Sequence, residues 1–337
     1  MRVLITGGAG FLGTRLARTL LQRGQLCGAP LARLVLADLG RPADDLCADA
    51  RVQVRTGDLL AQLDALMAEP YDVVFHLAAA VSGECEADFD LGLRANLDTT
   101  RALLEACRHQ AARGRVARFV FSSSVAVFGA DPALPLPEVV DDRTLPTPQS
   151  SYGIQKFICE QLVADYTRKG YVDGRAARLM TVSVRPGRPN GAASGFLSGI
   201  VREPLAGLPA VCPVPPETRV ALASPATTIA GLLAVAEASR EDFGGRTALN
   251  LPALTVTVQQ MLDALHAVGG DEARSLVRFE RDPHIERIVG GWPARFSSAR
   301  AAHLRLIPDG DFREVVLQYV RDHPQAVTNR QALRLAG

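Results

Sequence analysis

The opening residues RVLITGGAGFLG, at 2–13, pass from a strand of β-branched and apolar side chains through a glycine cluster directly into a helix start. Gly8, Gly10 and Gly13 have the spacing G-x-G-x-x-G. In that pattern the glycines permit a tight turn, a close approach of backbone to a pyrophosphate, and close packing of helix on strand. The helix N-terminus then faces the anion. The same rhythm recurs downstream: LVLA, VQVR, DVVFHLA, RFVFSSS and LMTVSVR read as strands, and residues 11–23, 59–68, 85–112 and 151–170 as helices. Such alternation needs crossover connections, hence an α/β fold with a doubly wound parallel sheet covered on both faces. After Arg185 glycines and prolines interrupt the pattern. Residues 1–184 and 219–250 are expected to form a dinucleotide-binding domain, and 185–218 with 251–337 a smaller, mostly C-terminal substrate domain.

Composition removes several alternatives. The 337 residues carry a net charge of +1 with no strongly one-signed segment, which argues against nucleic acid as a partner. No apolar run reaches the length of a membrane span and no signal-peptide pattern opens the chain, so no membrane is expected. Six cysteines without a C-x-x-C pair and six scattered histidines suggest no metal site and a reduced, cytoplasmic protein. Only Lys156 and Lys169 are lysine among 37 basic side chains. Lys156 stands four residues after Tyr152, at the start of a helix, so phenol and ammonium share one face. Lysine is a compact charge with a movable proton, whereas arginine is broad and always protonated. Asp38 ends the second strand, where a ribose-binding carboxylate belongs. Its charge disfavours a 2′-phosphate, so NAD is expected over NADP, with nearby Arg33 and Arg41 able to reverse that preference.

TGGAGFLG, GDL at 57–59, HLAA at 76–79, Asn96 in ANLDTTRALLEAC, FSSSVAVFG, Y-x-x-x-K at 152–156 and VRPG occur in an order that resembles the extended short-chain dehydrogenases/reductases. This NAD-dependent epimerase/dehydratase family is built on a Rossmann sheet. The resemblance implies a catalytic triad of Ser124, Tyr152 and Lys156. It also implies cofactor contacts from Gly7, Gly10, Phe11, Leu12, Gly13, Asp38, Asp58, Leu59, Ala78, Asn96, Tyr152 and Lys156, with Asp58 beside the adenine. Tyr152 is the expected general base, and holding a phenol ionised near neutrality requires roughly 4 kcal/mol from surrounding positive charge. Ser124 would hold the same substrate oxygen.

Within the family, HLAAAVSGECEADFD and the stretches around Tyr152 and Arg188 resemble a dehydrogenase branch that oxidises the 2-hydroxyl of a four-carbon sugar acid. A small polyhydroxy acid calls for an arginine fork with hydroxyl and amide groups. Ser82, Ser124, Tyr152, Arg188, Asn190 and Ser194 are the expected substrate contacts, with Arg188 on the carboxylate. Phe128 stands where the epimerases carry a tyrosine. A nucleotide-sugar 4-epimerase or dehydratase with retained NAD, and a non-catalytic cofactor-sensing protein, are the alternative readings. The long helices at 85–112 and 151–170 would, as in relatives, pair two subunits into a homodimer.

Overall fold

The computed structural model describes residues 1–187 and 193–336. The principal elements are β1 (Arg2–Thr6), α1 (Phe11–Arg23), β2 (Arg33–Asp38), β3 (Val52–Thr56), α2 (Leu63–Leu66), β4 (Val73–His76), α3 (Ser82–Ala87), α4 (Phe89–Gly92), α5 (Thr99–Ala111), β5 (Arg118–Ser124), α6 (Ser151–Arg168), β6 (Asp173–Leu179) and β7 (Thr181–Val182). There follow α7 (Phe196–Leu205), β8 (Arg219–Ala223), α8 (Pro225–Glu237), β9 (Leu249–Asn250), β10 (Leu254–Thr257), α9 (Val258–Ser275) and α10 (Phe312–Asp322). Seven strands form one parallel sheet in the order β9-β6-β5-β4-β1-β2-β3. Strand order reverses between β1 and β4, the switch point at which open α/β sheets bind ligands.

Alternation along β1 divides the core between the two faces of the sheet. Val3 and Ile5 point to a layer made by Leu16 and Leu20 of α1 and Ile229 and Leu232 of α8, while Leu4 meets Leu103 of α5 and Val163 of α6. A third cluster joins α7, α9 and α10 through Ile200, Leu265 and Val316. Residues 219–250 are shared between sheets. β8 pairs with β7 and β10 in a separate three-stranded sheet, whereas α8 packs on the large sheet and β9 extends its edge. His76 is packed as a core residue between the hydroxyls of Thr6, at 2.6 Å, and Thr100, at 2.9 Å, and burial together with the Lys156 charge lowers its pKa to about 3.

Three elements differ from expectation. The run LMTVSVR is not the sixth strand. The sheet takes the preceding DGRAARL, and the apolar run contributes only the short β7 of the second sheet. Arginines at 175 and 178 hide the strand from a reading based on apolar runs, yet both are buried and paired. Arg175 donates to Val235 and Ala238 carbonyls at 2.8 and 2.5 Å, capping the C-terminus of α8, with Asp173 as counter-ion at 2.9 Å. Arg178 forms a fork with Glu160 at 2.8 and 2.7 Å, and Ser123 completes that carboxylate at 2.5 Å. The helix expected at 59–68 contracts to α2. The one expected at 85–112 breaks at Asp88, whose side chain caps α4, and then passes through a π-helical turn, Leu93–Asp98, before α5.

The Arg178–Glu160 pair has little access to solvent, with side chains 9% and 1% exposed. Arg178→Met alone should cost about 3–5 kcal/mol by leaving a buried carboxylate uncompensated, and Arg178→Met with Glu160→Leu should recover most of that loss. Urea unfolding of the single and double variants measures the difference; equal losses would show that the charges stabilise nothing beyond their packing.

Candidate active site

The glycine loop closes against β4 and α1. Gly7 adopts φ +73°, and a Cβ there would lie 2.8 Å from the Ala78 nitrogen; at Gly13 it would lie 2.0 Å from the Gly7 oxygen. Neither position admits a side chain. The tightest contacts therefore follow Gly7 and Gly13, with Gly10 as the N-cap of α1; Gly8 is also close-packed, 2.9 Å from the Leu36 Cβ. That N-cap carries no side-chain bond and the first turn of α1 has no acid, so its amides present positive potential to an anion. Phe11 and Leu12 form the same turn, and Leu12 packs towards the α1–α8 layer.

Asp38 terminates β2 and accepts from Ala9 N at 2.9 Å and Gly40 N at 3.1 Å, fixing its carboxylate beside the loop. The two arginines able to oppose it point elsewhere: Arg33 donates to the Ala50 carbonyl and Arg41 faces Asp44. Asp58 accepts from Ala61 N at 3.0 Å and from Arg94 at 3.2 Å. The amide bond is the main cause of its lowered pKa, assisted by Arg94. Leu59 packs towards the α5–α6 layer and Ala78 abuts Gly7. Asn96 is buried, and its described contacts are internal. Its amide exchanges bonds with the backbone of Ala80 at 2.8 and 3.3 Å and donates to Gln155 at 2.8 Å. Its visible work is to fix the loop after β4 and tie it to α6. A glycine cradle, a helix N-terminus without acid and a strand-end carboxylate fit a dinucleotide.

The second half of the site lies where β5 meets α6. Ser124 ends β5, in register with Leu179, and its hydroxyl accepts from Ala126 N at 3.1 Å. Ser150 caps α6 through Gly153 N at 3.1 Å, and a Cβ on Gly153 would lie 2.1 Å from the Ala126 oxygen. That contact seats the first turn of α6, with Tyr152, on the turn after Ser124. Lys156 is buried and donates to the Ser122 carbonyl at 2.8 Å, its ammonium 4.8 Å from the Phe121 ring centre and 5.6 Å from that of Tyr152. Burial pushes the Tyr152 phenol up to about 12, against the Ser124 hydroxyl bond and the Arg185 charge, which lower it; Cys85 adds a smaller upward push. Burial also lowers Lys156 to about 8, opposed by Cys159, Cys85 and Glu160. In the chain alone the phenol is therefore protonated at neutral pH, and extra positive charge is required before it can accept a proton.

Among the expected substrate contacts, Ser82 opens α3, and Ser194 lies just before Gly195, the N-cap of α7, where its hydroxyl accepts from Arg185 at 2.7 Å. Arg188 and Asn190 lie outside the described residues. Arg185, to which the sequence pattern assigns no role in the site, is the cation felt by the Tyr152 phenol. Its one sequence signal was a charge at the end of the apolar run LMTVSV. Phe128 is core, its ring 4.8 Å below the Arg178 guanidinium and 6.1 Å from Phe296.

Gly13→Ala is expected to weaken NADH binding at least about tenfold, because the new methyl must displace the Gly7 carbonyl from the cradle. Fluorescence titration checks this; unchanged binding would place the dinucleotide elsewhere.

The model of the NAD dependent epimerase/dehydratase family matches residues 3–216. D-erythronate dehydrogenase of Cupriavidus necator is 52% identical over 96% of this chain and 98% of its own length, and that of Haemophilus influenzae is 42% identical over 95% and 99%. A crystal structure titled as the nucleoside-diphosphate-sugar epimerase from Agrobacterium tumefaciens superposes with a TM-score of 0.90 at 41% identity, covering 97% of this chain and 95% of that one. From the glycine cradle to the Tyr152–Lys156 turn, the chain belongs to the NAD dependent epimerase/dehydratase family of extended short-chain dehydrogenases/reductases.

Proposed function

We propose that the protein oxidises the C2 hydroxyl of D-erythronate, or of a close 2-hydroxy aldonate, to the 2-keto acid. The observation that carries this reading is the meeting of Ser124, Tyr152 and Lys156 with a second cation, Arg185, at one edge of the sheet, in a chain whose likeness to D-erythronate dehydrogenases runs through both halves. The glycine cradle and Asp38 would hold NAD, which would supply the acceptor for the carbinol hydrogen as hydride. Tyr152 takes the hydroxyl proton, Ser124 holds the same oxygen, and Lys156 keeps positive charge beneath the phenol. Ser82 is read as a contact for the remaining hydroxyls and Ser194 as a further polar contact to the substrate, with residues 185–218 and 251–337 as the substrate-facing part and 1–184 with 219–250 as the cofactor part. The likeness to a structure titled as a nucleoside-diphosphate-sugar epimerase supports a second reading, epimerisation with NAD retained. The readings differ in one product: the dehydrogenase releases one NADH per acid oxidised.

We also read the chain as a cytoplasmic homodimer. All six cysteines are free thiols, as a reducing compartment permits, and no described helix is long and apolar enough to cross a membrane. Phe89 and Leu91 are exposed on α4 and Ile154 and Ile158 on α6, two helices in contact, and these apolar groups suit a twin copy.

Incubation with D-erythronate and NAD should produce NADH stoichiometrically, while UDP- or GDP-sugars should be unchanged; sugar epimerisation without NADH would establish the second reading instead. Tyr152→Phe should lower kcat at least about a hundredfold and leave NADH binding within a few-fold. Because the phenol must lose a proton whose affinity burial raises, kcat/KM for oxidation should climb as pH rises through neutrality. A flat profile would assign the proton to another group. Asp38→Ala should weaken use of NAD more than NADP, read from kcat/KM with each cofactor.

A further inference from the structure

Arg185 is held as a fixture. Its amide donates to the Ser198 hydroxyl of α7 at 3.0 Å, and its carbonyl accepts from Arg202 at 2.8 Å, so α7 grips the main chain on both sides of the side chain. The guanidinium is partly buried and donates to two neutral oxygens, the Val182 carbonyl at 3.0 Å and the Ser194 hydroxyl at 2.7 Å. Among the described residues no carboxylate pairs with it, and the adjoining segment 188–192, RPNGA, contains no acid. Arg202, the neighbouring cation, is already balanced by Glu203 at 2.5 Å. Desolvated charges ordinarily sit with a partner of opposite sign. The Arg185 charge instead acts on the phenol of Tyr152, whose pKa it lowers.

We propose that Arg185, rather than Arg188, is the residue that receives the carboxylate of a 2-hydroxy acid, with Ser194 as its polar companion. A 2-hydroxy acid carries its anion on the carbon adjacent to the one that loses hydride, so the cation that binds it must lie beside the group taking the hydroxyl proton. Arg185 meets that condition: the chain reaches it directly from the end of β6, where Leu179 is in register with Ser124, and its charge acts on the Tyr152 phenol. Its planar fork suits a carboxylate, and the Ser194 hydroxyl, fixed against the fork, keeps a proton for the same anion. The arrangement selects small acids: a neutral carbinol leaves the guanidinium without a counter-ion, and that penalty works against the uncharged competitor. This inference rests on the dehydrogenase reading for the choice of acid, not for the position of the cation.

The test separates the two. kcat/KM is measured for D-erythronate and for its neutral amide with the wild type, Arg185→Gln, Arg185→Lys and Arg188→Gln, and NADH fluorescence reports binding of 3,4-dihydroxybutanoate, an acid that lacks the C2 hydroxyl, to each enzyme–NADH complex. Retained NADH affinity verifies that each variant is folded. Arg185→Gln should lower kcat/KM for the acid at least about tenfold more than for the amide, and should weaken 3,4-dihydroxybutanoate by a similar factor, with Arg185→Lys intermediate. An equal fall for acid and amide, or a selective loss in Arg188→Gln with Arg185→Gln spared, overturns the assignment. If the wild type yields no NADH from D-erythronate but binds 3,4-dihydroxybutanoate through Arg185, the substrate reading fails and the carboxylate site stands.

Discussion

The lie of α6 along the end of β5 sets the rest of the molecule. Three contacts occur at successive levels: the Ala126 carbonyl enters the space left by Gly153, the Ser122 carbonyl receives Lys156, and the Ser123 hydroxyl meets Glu160. Each has a different physical character, namely close packing, a charge-assisted bond and a buried anion. Together they prevent the helix from sliding or rotating on the strand. Tyr152 and Ser124 thereby hold their positions without a direct bond strong enough to do so. Glu160 is in turn held by Arg178 on the next strand, so the same restraint passes across the sheet to Asn250 on β9.

Buried arginine is the second theme of the chain. Arg175 and Arg118 reach the last carbonyls of α8, where the helix dipole favours cations, and share Asp173 as counter-ion. Arg175, Arg240 and Arg300 also surround the Phe243 ring, at 5.6, 5.5 and 5.0 Å from its centre. A broad, weakly hydrated guanidinium can bond several carbonyls with its planar fork and lie on an aromatic face at once. Of the two lysines, Lys169 is exposed just beyond α6, whereas Lys156 is buried with its ammonium 5.6 Å from the Tyr152 ring centre.

Much of the architecture was legible because parallel strands buried on both faces read as apolar runs, and because glycine spacing reports close approach. The order of Gly7, Asp38, Ser124, Tyr152 and Lys156 along the chain translates into adjacent strand ends through the 3-2-1-4-5-6 succession. The sixth strand was obscured by Arg175 and Arg178, whose partners come from distant segments and leave no local trace. Arg185 was passed over for a similar reason: its place beside Tyr152 depends on how the chain turns after β7. The breaks in the helix after β4 arise from an Asp88 cap and a local change of hydrogen-bond period.

The π-helical turn Leu93–Asp98 constrains how this chain can change in length. A π turn accommodates one residue more than an α-helix over the same rise. It lets Arg94 reach Asp58 while Asn96, two positions on, turns inward to Ala80 and Gln155. Because the turn absorbs that extra residue, deleting one there would restore α geometry over the same rise and leave the turns on either side in register. What would be lost is the divergence within the turn that lets Arg94 and Asn96 serve Asp58 and Ala80 together. A one-residue change that would swing the flanking segment by about 100° in regular α-helix is thus absorbed at this turn.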